Sequence, residues 1–223
     1  MPNLLFLFVL GVIVPLLSIQ SSRQSGLILL PRRTLYYSSV VSEWVLTSIG
    51  ALIILGTAIR VPVFKSPGLG RLILWTALIS AIALGSLAVF VVLERFDWWP
   101  REAPLVRYLM PETRKEKLIC LFVLAPTAGI CEEFLYRGYL YSQLAVRLHS
   151  PFAAWIASSV VFGMGHAYQS LNGAARATLL GALLAWPVFR LGCIYPSVIA
   201  HFLLDAAALL WLGPLAWRKP NES

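Results

Sequence analysis

Six residues in the second half of the chain have types and spacings suited to chemistry: Glu132, Glu133, Arg137, His166, His201 and Asp205. Each lies in or at the edge of an apolar stretch. A charge at the centre of a bilayer costs about 2.5–3.5 kcal/mol on insertion scales, so ionisable groups there must meet one another or a water-filled cavity. The spacings are helical. Glu133 and Arg137 are four apart and share a face, with the acid in the favourable N-terminal position. Glu132 is turned by about 100° from Glu133, so the pair can offer one carboxylate to a cavity and the other to the arginine. His166 follows Phe162 by four, and His201 and Asp205 are again four apart. Two carboxylates, two imidazoles and an arginine suit hydrolysis. They can supply an activated water, a general base that returns as acid, and a donor for the developing oxyanion. No serine or cysteine stands in a nucleophile motif, and Ser158 and Ser159 read as helix-packing residues.

These groups need elements that converge them. The chain has 223 residues, of which 59% are apolar and 13% charged, against about 25% charged in a soluble domain. Mean hydropathy is +0.78. Soluble, disordered, collagen-like and disulfide-rich classes are excluded. A β-barrel is disfavoured because its strands alternate, whereas the apolar runs here are continuous. The expected fold is an all-α, polytopic transmembrane helical bundle of about seven spans (six to eight), near residues 4–19, 39–59, 72–93, 118 onward through Cys131 and Glu132, 151–166, 178–189 and 195–212. The first run lacks a basic leader and a cleavage site and reads as a retained helix. Residues 1–117 form N-terminal transmembrane helices and an amphipathic loop, and residues 118–223 a catalytic helical core, within one integral membrane domain.

The net charge of +8 comes from basic residues at the ends of apolar runs. That is the pattern of membrane anchors rather than of a nucleic-acid partner. Arg60, Lys65 and Arg71, with Pro62 and Pro67, mark one loop, and Arg218–Ser223 is a polar tail. Residues 94–117 hold six basic and five acidic residues and read as a polar stretch with room for a surface helix. Glu43 is expected at an interface or paired with a neighbouring helix. Pro126 is expected to free backbone groups and open its helix to water. Ala177, Gly181 and Ala185 are spaced for close helix packing. Cys120, Cys131 and Cys193 read as buried thiols.

The segment Glu132-Glu133-Phe134-Leu135-Tyr136-Arg137 fits the EExxxR pattern of the CPBP family of CAAX-processing and bacteriocin-processing (abortive-infection) intramembrane proteases. Phe162 to His166 resembles its FxxxH motif, and His201 to Asp205 its HxxxN/D motif. The three stand in family order over roughly residues 118–212. The resemblance implies a glutamic-type intramembrane endopeptidase of the plasma membrane of a bacterium. It implies that Glu132 with His166 activates water, that Glu133 and Arg137 support that pair, and that His201 and Asp205 bind the oxyanion. An ionised aspartate only accepts hydrogen bonds, so Asp205 is read as orienting His201 instead. Phe162 and Tyr136 are expected to contact substrate. No cofactor is expected; the alternative is zinc held by Glu132, His166 and His201. The implied partners are a membrane protein or lipidated peptide substrate and membrane lipids. A proton-coupled transporter or channel, or an idle interaction protein, would use the same buried groups differently.

Overall fold

The computed structural model describes residues 2–23, 25–57, 61, 63–100 and 103–213. Arg60, Pro62, Glu102 and the tail Arg218–Ser223 lie outside the described residues. The described residues form eight helices and no strand. They are α1 (Pro2–Ser22), α2 (Arg32–Gly56), α3 (Leu69–Arg95), α4 (Pro104–Leu109), α5 (Arg114–Arg147), α6 (Pro151–Gly165), α7 (Leu171–Leu191) and α8 (Tyr195–Leu212). All but α4 and α6 are long and apolar enough to cross a membrane. The chain is an all-α integral membrane protein with six such helices. The fifth expected span, α6, has 15 residues. That is about 22 Å of helix, short of the ~30 Å hydrocarbon layer.

The arrangement centres on α5 to α8. Helix α6 packs along α7, the C-terminal part of α5 packs on α6, and α8 lies between α5 and α3. Helices α1 and α2 flank this group on the α5–α6 side. The start of α5 is set by a capping box: Thr113 Oγ1 accepts from Glu116 N at 3.2 Å and Glu116 Oε2 accepts from Thr113 N at 2.9 Å. Two otherwise unpaired donors of the first turn are thereby satisfied. Helix α7 begins seven residues earlier than the apolar run at 178 suggests. Ser170 Oγ caps it by accepting from Gly173 N at 3.0 Å. Its charge at Arg176 is neutralised by Glu94 of α3 at 2.9 Å. Glu94 is therefore a buried helical residue, 3% exposed, and not part of a polar loop.

Pro126 does not open its helix. The turn before it, Cys120–Leu124, is wound wide, with Ala125 N bonding back to Cys120 O. Pro15 in α1 is preceded by the same arrangement, with Val14 N bonding to Val9 O. A five-residue turn next to a proline absorbs the residue that has no N–H to donate, so the helix runs on. A third wide stretch, Glu133–Leu140, coincides with the EExxxR segment.

The small-residue spacing on α7 acts in packing. A Cβ on Gly181 would stand 2.6 Å from Phe162 Cδ1 and 3.2 Å from Arg137 Nη2. A Cβ on Gly163 would overlap Thr178 Oγ1. Only glycines let α6 and α7 approach this closely. The three cysteines are buried free thiols, and Ser158 and Ser159 both donate to Trp155 O within α6.

Candidate active site

Three helices bring the six polar residues to one place. Helix α5 carries Glu132, Glu133 and Arg137. His166 sits at the C-terminal end of α6, just past its last helical residue, and α8 carries His201 and Asp205. The two glutamates face different surroundings. Glu133 is fully buried, and its Oε1 lies 3.1 Å from Arg137 Nη1. The same oxygen accepts from His201 Nδ1 at 2.8 Å. Glu132 lines a cavity of about 630 Å³, together with His166, Asp205 and Tyr136. Its Oε2 has no hydrogen-bond partner among the described residues.

Arg137 is held from three sides. Its Nη2 donates to Gly181 O at 2.8 Å, and its guanidinium carbon lies 4.1 Å over the Phe162 ring. Phe162 also meets the Tyr136 ring edge-on at 5.1 Å and the His166 ring at 4.5 Å. It is 3% exposed and does not line the cavity. The structure therefore differs from the expectation of a substrate contact at Phe162. The ring is a floor on which Arg137, Tyr136 and His166 rest. Tyr136 does line the cavity, in the space left by Gly165, where a Cβ would stand 2.9 Å from the Tyr136 hydroxyl.

The tautomer of each histidine follows from its partner. His166 Nδ1 lies 2.9 Å from Phe162 O. A carbonyl only accepts, so Nδ1 carries the hydrogen and Nε2 is left for the cavity. His201 Nδ1 likewise donates to Glu133, leaving its Nε2 free. Glu132 Oε2 lies 3.8 Å from His166 Nε2 and 3.7 Å from His201 Nε2. These distances exceed a direct hydrogen bond. Asp205 Oδ2 lies 3.7 Å from His201 Nε2. The bond that orients the His201 ring is thus made by Glu133 and not by Asp205, because α8 places Asp205 on the Nε2 side. Glu133 and Arg137 act on His201, whereas the contact that orients His166 comes from its own helix.

Among the described residues, no group of three or more His, Cys, Asp or Glu side chains is arranged to hold a metal ion.

Glu43, expected at an interface or paired with a neighbouring helix, lies on the wall of the cavity that Glu132 also lines. Ser39 Oγ donates to Glu43 Oε1 at 2.9 Å, while Oε2 has no partner among the described residues. The surface helix α4 was foreseen only as structural. Its Leu105, Val106 and Leu109 line the cavity. It is tied down by Tyr36 Oη donating to Leu109 O at 2.7 Å and by Arg32 Nε donating to Tyr108 O at 2.5 Å. The serine-rich start of α2 was the one signal that could have pointed to a polar wall.

The fold and the buried acid–base cluster define a class: a polytopic helical membrane protein with a cluster of ionisable residues inside its bundle. Residues 114–207 match the family model described as type II CAAX prenyl endopeptidase Rce1-like. The match agrees with the CPBP relationship that the three motifs imply. It covers α5 to α8 up to Ala207 and contains all six polar residues. No curated protein and no solved structure matched the chain.

Proposed function

We propose that the protein hydrolyses a peptide bond of a membrane-associated protein substrate, using water activated by Glu132 and His166. The observation that carries this reading is the approach of His166 Nε2 and His201 Nε2 to 3.8 and 3.7 Å from Glu132 Oε2, beside the cavity that Glu132 and His166 line. The Rce1-like match over residues 114–207 supports a CAAX-type, lipidated C-terminal segment as substrate.

In this mechanism Glu132 takes a proton from the water as its oxygen attacks the scissile carbonyl carbon. His166, with Nε2 as acceptor, holds the water's second hydrogen. His201, when its ring carries both protons, keeps Nδ1–H on Glu133 and donates Nε2–H to the oxyanion. Asp205 favours that doubly protonated ring from the Nε2 side, so it acts through His201. This role accounts for an aspartate at a place where an ionised carboxylate would repel an oxyanion directly. Glu132 then returns the proton to the leaving nitrogen as the C–N bond breaks. Glu133 and Arg137 are positioning residues that fix the His201 ring. In our reading no metal takes part.

The test is cleavage of a farnesylated peptide ending in a CAAX sequence by purified protein in liposomes, followed by mass spectrometry. Wild type is expected to cut it with or without a chelator, and Glu132→Gln to lose activity. An uncut peptide with wild type, or equal rates for the two proteins, would sink the reading. Loss of activity on chelation would replace the metal-free route.

A further inference from the structure

The part of the cavity wall that α2 contributes has a chemistry that the hydrolytic reading does not use. It is built by Ser38, Ser39, Ser42 and Glu43 at the start of α2, with Ser21 of α1 beside them. Every one of these serine hydroxyls spends its single hydrogen inside the protein. Ser21 donates to Leu17 O at 2.9 Å, Ser38 to Leu35 O at 2.9 Å and Ser42 to Ser38 O at 2.8 Å. Ser39 donates to Glu43 Oε1, and Glu43 Oε2 is left without a partner among the described residues. What remains is a row of serine and carboxyl oxygens on this face of the helix, a surface rich in hydrogen-bond acceptors.

The spacing of this row is informative. Ser38 and Ser42, and Ser39 and Glu43, are pairs four apart, separated by about 6 Å along the helix axis. Along one edge of an extended peptide, successive N–H groups are two residues apart, or about 6.6 Å. The two repeats match over a short segment. A peptide that leaves helical conformation inside a membrane exposes N–H groups, each costing several kcal/mol unless paired. An acceptor wall on the cavity that Glu132 also lines removes that cost for a segment lying in it.

Resting on the proposed hydrolytic reading, we infer that this wall is a substrate subsite. It binds the N–H edge of an extended peptide segment, with Glu43 Oε2 as its strongest acceptor. Glu43 is then a residue that recognises the backbone and has no part in proton transfer. It holds the segment unwound so that the scissile carbonyl faces Glu132.

The experiment uses the full chain in liposomes, the farnesylated CAAX peptide, and copies of that peptide each N-methylated at one backbone position. In wild type, methylation at one or two alternate positions should raise KM about tenfold, the effect of losing one hydrogen bond. Glu43→Leu should raise KM for the unmethylated peptide about tenfold with kcat within about twofold, and methylation at those positions should then add less than about twofold. Glu43→Gln, which keeps an acceptor oxygen, should recover most of the affinity. Ser39→Ala is a milder second variant, with an expected rise of about threefold, should Glu43→Leu unfold in a thermal melt. An unchanged KM, a fall in kcat alone, or fully additive methylation effects would overturn the subsite. Binding of the same peptides to the Glu132→Gln protein separates the two readings. Glu43-dependent binding with no cleavage by wild type would end the hydrolytic reading and keep the subsite. Cleavage with Glu43-independent KM would do the reverse. Neither binding nor cleavage would end both.

Discussion

Helices α1 to α3 and helices α5, α7 and α8 are all long and apolar enough to cross a membrane but are used in opposite ways. Of the most apolar 18-residue stretches, 11–22% of residues are buried in α1, α2 and α3, against 50% in α5 and 33–39% in α7 and α8. Leu52 and Leu55 of α2 stand 68% and 83% exposed, while Arg137 of α5 is 1% exposed. Hydropathy therefore does not report burial in this protein. In a bilayer an exposed leucine is at no disadvantage, so apolar side chains go to the lipid. The interior goes to groups that lipid cannot solvate, and to the small residues that let their helices meet.

That contrast can be broken or sharpened by substitution. The largest effect should come from Glu132→Gln, which removes the proton acceptor at the cavity and is expected to lower kcat by about 10²–10⁴-fold. Its thermal unfolding should stay near wild type, since Oε2 has no partner to lose. A large loss of stability instead would mark Glu132 as structural.

Arg137→Leu comes next and acts on folding. It leaves the buried Glu133 without its arginine and with His201 Nδ1 as its remaining partner, at a cost of about 3–5 kcal/mol in stability. The double change Glu133→Leu with Arg137→Leu should recover much of this in a thermal melt without recovering activity, because His201 has lost its anchor. If the double variant is no more stable than the single, the pair is not coupled as described. Gly181→Val should cost about 1–3 kcal/mol by overpacking against Phe162 and Arg137, read in the same melt.

The smallest effect should come from α2. Leu55→Ala faces outward and is expected to change stability by less than about 0.5 kcal/mol. A loss of several kcal/mol there would mean that α2 is covered by protein rather than lipid.

How much of this was legible beforehand differs by residue. Glu133 with Arg137, and His201 with Asp205, were readable because a four-residue spacing fixes relative direction on one helix whatever the fold does. The motif triple identified the helices that carry the site, and the match over residues 114–207 agrees with it. The contact between Glu133 and His201, 68 residues apart, was assigned differently. It depends on how α8 is rotated against α5, which no local spacing encodes. Glu94 and Arg176, 82 residues apart, were both placed in loops, because each charge alone argues against a helix interior and only their pairing permits it. Phe162 was expected to touch substrate. Its position in the motif suggested function, and only packing shows that it lies beneath Arg137. Glu43 had no motif at all.

The sequence by itself determined a membrane-embedded helical chain, the three segments that bear polar residues, and the faces on which neighbours four apart stand together. These follow from composition and from the pitch of one helix, which are local properties. Only the tertiary structure decided which glutamate is paired and which faces the cavity, which nitrogen of each histidine is free, and that α1, α2 and α4 wall the site. Those outcomes rest on rotations and separations between helices. They are set by close approach at glycines such as Gly181 and by ion pairs between residues far apart in the chain.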